Sequence, residues 1–292
     1  MATPTIPERV ATFRKAYRRK YVGARYSGWA HFAFTSGVAL AAIGFSLSRL
    51  EAVRPLEWLT VPAVFLFGNV VEFLGHRGPM HHRQRGLRLL FQRHTEQHHR
   101  FFTHEALAYE SARDVKMVLF PPVLLLFFLG AIATPLAALC FALVSPTVGW
   151  LFAASAVGYY LTYEWLHFCH HLPPEHPVAR LPLMARLRRH HQTHHDPSKM
   201  QRYHFNITLP LLDWFFGTAW RPGDSERGGA SRCLPPSTGT GALTRPARLL
   251  SRKRAGDFRA GSAGRGWGGY THEGVHKSLN ARASHVPPIK RI

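Results

Sequence analysis

Residues 148–171 read VGWLFAASAVGYYLTYEWLHFCHH, an apolar and aromatic run that ends in three histidines. The part up to His167 is long enough to cross a bilayer as a helix. Its last third carries Tyr159, Tyr160, Tyr163 and Trp165 before His167, His170 and His171 follow. Working outward, residues 117–144 form another apolar run, longer than one straight crossing needs. Pro121, Pro122 and Pro135 interrupt it, so a kink or tilt is expected. Two further apolar stretches, residues 29–50 and 56–75, precede it. The pattern predicts an all-α integral membrane protein with about four transmembrane helices, and it excludes an ordinary soluble globular domain.

The 292 residues carry 37 Lys and Arg against 16 Asp and Glu, a formal charge of +21. That charge is unevenly placed. Residues 1–28 hold Arg9, Arg14, Lys15, Arg18, Arg19, Lys20 and Arg25 against Glu8 alone. They read as a basic leader, either an amphipathic surface helix or a solvated flank. No secretory signal pattern is present, because the first apolar run lacks a nearby small-residue cleavage site. Four spans put the leader, residues 76–116 and everything after residue 168 on one side. Residues 76–116 carry eight basic against four acidic side chains, whereas the opposite connections are short and almost uncharged. Positive charge flanks the cytoplasmic face, so a histidine-rich helical cap is expected there.

Residues 29–223 therefore read as the membrane-embedded domain. The tail, 224–292, has 13 basic and four acidic residues among Gly, Ser and Pro, with no apolar periodicity. Such a segment is expected to be disordered. Its abrupt onset after Trp220 also resembles a GC-rich gene read out of frame, and no specific nucleic acid partner is assigned to it. The composition, rich in Ala, Arg and Gly, points to a GC-rich bacterial source and so to the cytoplasmic membrane. Cys140, Cys169 and Cys233 are too few and too scattered for a disulfide scaffold or a cysteine zinc module.

Of 20 histidines, 16 lie between His76 and His204. All but His176 fall in four clusters: His76 with His81 and His82; His94 with His98, His99 and His104; His167 with His170 and His171; and His190, His191, His194 and His195, followed by His204. On a regular helix His94 and His98 stand one turn apart, as do His167 and His171, while His191, His194 and His195 share one face. A lone histidine is most often a surface or interfacial side chain. Four clusters beside span ends on one side of the membrane point instead to metal. A pH sensor needs only one or two such groups, and a transporter should place polar ligands near the midplane of its spans. Imidazole suits Zn, Fe, Cu and Ni alike, and the ligand count favours two ions.

The series Glu72-x3-His76-Arg77, His76-x4-His81, His94-x3-His98-His99, His167-x3-His171 and His191-x2-His194-His195 resembles the fatty acid hydroxylase, or sterol desaturase, superfamily. The ending Phe205-Asn206-Ile207-Thr208 through Asp213-Trp214-Phe215-Phe216-Gly217-Thr218 is similar to that family's closing segment. The resemblance spans about residues 60–220. It implies a non-haem diiron oxygenase that hydroxylates or desaturates a membrane lipid such as a fatty acyl chain, sterol or carotenoid. Two iron ions would serve as cofactors, and dioxygen and two electrons would be consumed. The ligands it implies are His76, His81, His94, His98, His99, His167, His171, His191, His194 and His195. Many relatives have His-x2-His-His in the second box, which places a histidine where this chain has Thr95.

His82, His170 and His190 neighbour those ligands and suit supporting or surface roles, and His104 and His204 suit extra ligands or cap support. Glu72 is four residues before His76 and Glu164 three before His167, each on its histidine's helical face. Each is expected to accept a hydrogen bond from the free imidazole N–H, fixing ring orientation; an ion pair with Arg77 or another arginine is the alternative. Asp213 is expected to support the cap in the same way. No haem or iron–sulfur ligand spacing is visible, so a separate electron donor (ferredoxin, cytochrome or reductase) is expected as partner. The competing reading is a catalytically silent metal-binding membrane protein: a sensor, a transporter or a degenerate family member.

Overall fold

The computed structural model describes residues 5–224; beyond Asp224, the proposed tail lies outside the described residues. Among the described residues regular structure is helical, with a single isolated bridge between Thr103 and Ala106. α1 (Glu8–Tyr21) leads into α2 (Gly28–Ser48), whose N-terminus is capped by Ser27 accepting from the Ala30 amide at 3.2 Å. A 3₁₀ turn, Pro55–Leu59, opens α3 (Thr60–Gly75), which runs on through a π-helical turn, His76–Met80. The cap then holds α4 (Arg88–Phe91), a second π turn (Gln92–His98) and α5 (His99–Phe101). The chain returns through α6 (Val115–Val118), α7 (Pro122–Phe127), a π turn (Phe128–Ala133) and α8 (Thr134–Leu143). α9 (Pro146–His170) carries it back to the cap, completed by α10 (Pro177–Arg180), α11 (Pro182–His194) and α12 (Leu211–Phe215).

Three helical segments are long and apolar enough to span a membrane: Gly28–Ser48, Pro55–Met80 and Ala112–Leu143. They leave Phe45, Leu66, Phe67, Leu126, Phe127 and Leu139 exposed, an apolar surface no monomeric soluble protein would present to water. The prolines act where the sequence places them. Pro121 and Pro122 separate α6 from α7, and Pro135 sits in the first turn of α8, directly after a π turn. At the start of α7 the missing Pro122 N–H breaks no helical hydrogen bond, while Pro135 falls where the continuous helix changes pitch.

α9, the expected fourth span, is not among the three most apolar segments. Its 25 residues are long enough, but Tyr159, Tyr160, Tyr163, Glu164, His167 and His170 dilute its C-terminal half. The helix is instead the packed axis of the bundle, in contact with α2, α3 and α8. Its buried side chains include Leu151, Ala154, Val157 and Leu161. α3 approaches so closely that a Cβ added at Gly68 would lie 2.6 Å from the Tyr159 ring. At the end remote from the histidines, Ser145 caps α9 through the Val148 amide and also donates to Glu57 at 2.8 Å, tying two connections together.

The basic leader is a wall of the cap rather than a separate flank. Arg14 is fully buried; its Nε donates to the Phe101 carbonyl at 2.8 Å and its Nη2 to the Ala106 carbonyl at 2.6 Å. Arg18 pairs with Asp114 at 2.7 Å and with Glu110 at 2.5 Å. Tyr17 meets the Phe101 ring edge-on at 5.6 Å, within a core that also holds Phe102, Leu107, Val115 and Phe168. α1 thus brings its positive charge to the acidic side chains just before α6.

Candidate metal centre

Two compact groups of buried imidazoles lie where α3, α9 and α11 meet the cap. His76, His81, His94, His99 and His194 each offer a nitrogen within 4.8 Å of the others. His98, His171, His191 and His195 form the second group by the same measure. His167 joins them, with Nε2 3.3 Å from the Nε2 of both His98 and His171. The groups touch where the His99 and His195 rings stack at 4.3 Å.

The two π turns explain this sorting. Five residues separate His76 from His81 and His94 from His99, a spacing that diverges by about 140° on an α-helix. A π turn closes its hydrogen bond over five residues, so His76–Met80 and Gln92–His98 bring each pair to one side. His98, the expected one-turn neighbour of His94, faces the second group instead. The triplet on α11 divides likewise: His194 joins the first group, His191 and His195 the second.

Backbone carbonyls fix the ring orientations. Nδ1 donates to Met117 O from His98 (2.8 Å), to Leu107 O from His171 (2.8 Å), to Tyr203 O from His194 (3.0 Å) and to Phe102 O from His195 (2.6 Å). His76 Nδ1 donates to Phe205 O in the same manner. A carbonyl only accepts, so each Nδ1 carries the proton and each Nε2 presents a lone pair. The Nε2 atoms of both groups converge. His76 and His94 are 2.8 Å apart, His81 and His194 3.0 Å, and His94 and His99 3.0 Å. In the second group His171 and His191 are 3.2 Å apart, and His191 and His195 3.0 Å.

Unprotonated nitrogens at such distances repel unless a cation lies between them. Donors about 2.1 Å from one ion stand about 3.0 Å apart at right angles and about 3.4 Å apart in a tetrahedron. The observed spacings match crowded five-donor sets, so the residues present fit one divalent ion per group. Burial holds the imidazoles neutral. His81 is pushed down to about 2 and His98 to about 4, chiefly by desolvation. His94, His99, His171, His191, His194 and His195 are likewise held well below the usual imidazole value, by desolvation and then by one another's charge.

The acids act differently from expectation. Glu72 does not bond to His76. It accepts from the amides of Ile207 and Thr208 and from the hydroxyls of Thr208 and Tyr159, binding α3 to the closing segment. Asp213 accepts from the Phe205 amide at 2.9 Å and the Asn206 amide at 2.8 Å. Both carboxylates therefore hold the segment whose Phe205 carbonyl orients His76, and they support the ligand through the backbone. Glu164 does not bond to His167 either; both its oxygens lie 3.3 Å from the Phe120 amide.

These donors lie within a recognised sequence pattern: the family model described as fatty acid hydroxylase matches residues 61–218, more than half of the 292 residues. The chain belongs to the fatty acid hydroxylase family. The match holds all ten converging histidines and both carboxylates that clamp the closing segment. Among solved structures, full-length Scs7p, in which only the hydroxylase domain is visible, is similar with a TM-score of 0.46 and 21% identity. The likeness covers 67% of this chain and 67% of that one. No curated protein matches.

The remaining histidines of this family member stand apart from both groups. His82 is exposed and bonds through Nδ1 to the Arg77 carbonyl at 2.8 Å. His170 is buried beside His191, ring centroids 5.0 Å apart. The His104 carbonyl accepts from Gln192 at 2.7 Å. His190 and His204 gather with Asp213 in a third group. Thr95, singled out in the sequence as a departure from the expected pattern, donates to Met80 O at 2.7 Å and touches His81 Nδ1 at 3.3 Å, a buttressing role the spacing did not show. Sequence reasoning missed Asn69, whose amide donates to Leu209 O at 2.8 Å. A polar residue in the middle of an apolar run was the available signal.

Proposed function

We propose that this chain is a membrane lipid hydroxylase with two non-haem irons, one in each five-histidine group. The observation that carries the reading is the convergence of ten buried imidazoles into two adjacent sets with their Nε2 atoms facing inward, five of them held by a carbonyl on Nδ1. With iron bound, such a pair would supply dioxygen activation. One oxygen atom would enter a lipid C–H bond as hydroxyl and the other leave as water, with two electrons and two protons supplied from outside. The family description favours hydroxylation over desaturation.

The chain's own residues hold and shield this centre. Five carbonyls fix the tautomers of five of the imidazoles, and the two carboxylates fix the segment that carries one of those carbonyls. Phe102 and Phe205, both fully buried, pack against His171 at 4.2 Å and His194 at 6.1 Å and exclude water. Four crossings, with α9 as the enclosed fourth, would place the cap on the cytoplasmic face. The substrate would then approach from the bilayer. Arg77, Arg85, Arg88, Arg186 and Arg189 are exposed on the cap and would attract an acidic ferredoxin, cytochrome or reductase.

Detergent-purified protein made with ample iron tests this directly, through elemental analysis, Mössbauer spectroscopy and oxygen uptake with lipid and reductant. About two coupled irons per chain and lipid-dependent uptake are expected. Fewer than two ions in these groups, or uptake indifferent to lipid, would overturn the proposal.

A further inference from the structure

One buried set of donors belongs to neither histidine group. His190 on α11, His204 in the segment after it and Asp213 on α12 each place a donor atom within 4.8 Å of the other two. Asp213 is fully buried and His204 is 5% exposed, while the His190 side chain retains 14% exposure. The two rings meet edge to face with centroids 3.7 Å apart. His190 Nε2 and His204 Nδ1 are both buried without a hydrogen-bond partner, and His190 Nε2 stops 3.4 Å from Asp213 Oδ2.

Buried polar atoms are normally paired. Two orphaned imidazole nitrogens beside a buried carboxylate therefore call for something that satisfies all three. The backbone reinforces the point. His204 sits in the left-handed region at φ 63°, a conformation that His, like Asn and Asp, adopts more readily than other non-glycine residues. Its N–H donates to the Thr218 carbonyl at 2.9 Å, which fixes that conformation. The His204 ring is thus held against His190 by a fixed backbone.

We propose that His190, His204 and Asp213 form a third, separate cation site that takes a zinc ion. Two imidazoles and one carboxylate suit zinc, with water as the fourth ligand reaching it past the partly exposed His190. Calcium and magnesium prefer all-oxygen sets. The site differs in kind from the two histidine groups, which contain no carboxylate and five donors each. Its role is to pin the closing segment onto α11: Asp213 receives the amides of Phe205 and Asn206, and the Phe205 carbonyl orients His76. The ion acts as a structural bolt and takes no part in the oxidation.

Tag-free full-length protein, stripped with chelator in detergent, would be titrated with Zn²⁺ by equilibrium dialysis and elemental analysis. The test variants are His204→Asn, which tolerates the left-handed backbone, and His190→Asn. Wild type is expected to saturate at three ions per chain and each variant at two, with unchanged circular dichroism. A second arm keeps this independent of the oxygenase reading. A His194→Ala/His195→Ala variant should still bind one tight ion, which disappears when His204→Asn is added. Saturation of wild type at two ions would overturn the proposal. So would a single-site variant that loses no ion, or one that loses more than one, since the cluster would then only support the paired centre.

Discussion

Asp213→Asn and Glu72→Gln are the same chemical change in two carboxylates that hold one segment, yet the structure predicts unequal outcomes. Each Asp213 oxygen accepts a backbone amide, Oδ1 from Phe205 and Oδ2 from Asn206. Whichever way an asparagine turns, its NH₂ faces one of those N–H groups and leaves it unpaired. An orphaned buried donor costs about 1–3 kcal/mol, and losing the charge on the other bonds adds about 1 kcal/mol more. Glu72 divides its partners differently: Oε1 takes both amides, of Ile207 and Thr208, and Oε2 takes only hydroxyls, of Tyr159 and Thr208. A glutamine can keep its oxygen toward the amides and donate to hydroxyls that rotate to accept, at about 1 kcal/mol. At about 1.4 kcal/mol per decade, local opening of residues 205–208 should rise about 30- to 1,000-fold in Asp213→Asn. In Glu72→Gln it should rise less than tenfold. Hydrogen exchange of peptides covering residues 203–210, with the protein in detergent, reads this opening. Equal acceleration in both variants, or a larger effect from Glu72→Gln, would refute the reasoning.

Acid should weaken the metal-free cap. His81, His98 and His204 titrate near 2, 4 and 3 when folded, against about 6.5 unfolded. The unfolded chain therefore binds more protons below pH 6.5, and stability, complete above that pH, is lost as pH falls. Melting temperature should be flat above pH 7 and drop toward pH 5; a rise on acidification would contradict the burial argument. His194→Ala and His195→Ala should each remove a different ion, since the two residues face different groups, and iron analysis of the single variants against the double checks this. Arg14→Met should lower the melting temperature by about 5–10 °C, because the Phe101 and Ala106 carbonyls lose their buried donors.

The sequence announced the histidines but not their sorting. Clusters at span ends marked the right side chains, because composition and position suffice to place ligands at one end of a bundle. Helical periodicity then paired His94 with His98, whereas the π turn sends them to different groups, and no local pattern signals an extra residue in a turn. The targets of Glu72 and Asp213 were hidden for another reason. A carboxylate four residues before a histidine invites a side-chain bond, while the actual partners of Glu72 are backbone amides at residues 207 and 208. Arg14 and Arg18 looked like part of a positive membrane flank. Their partners, near residues 101–114, become visible only when the cap folds back over α1. α9 read as a plain span because its aromatic end is apolar enough in sequence; its enclosure by three helices turns the same residues into a core.

The π turn at Gln92–His98 also changes how the spacing of such motifs should be compared between chains. Removing one residue from that turn would let it close as an ordinary α turn, and His94 and His99 would pass from five apart to four apart. Four apart on an α-helix is again one face. A one-residue gap inside the second histidine box therefore leaves the same imidazoles on the same ion. An insertion or deletion in this turn would be absorbed by the pitch of the helix, and the angle around its axis is what the spacing would preserve.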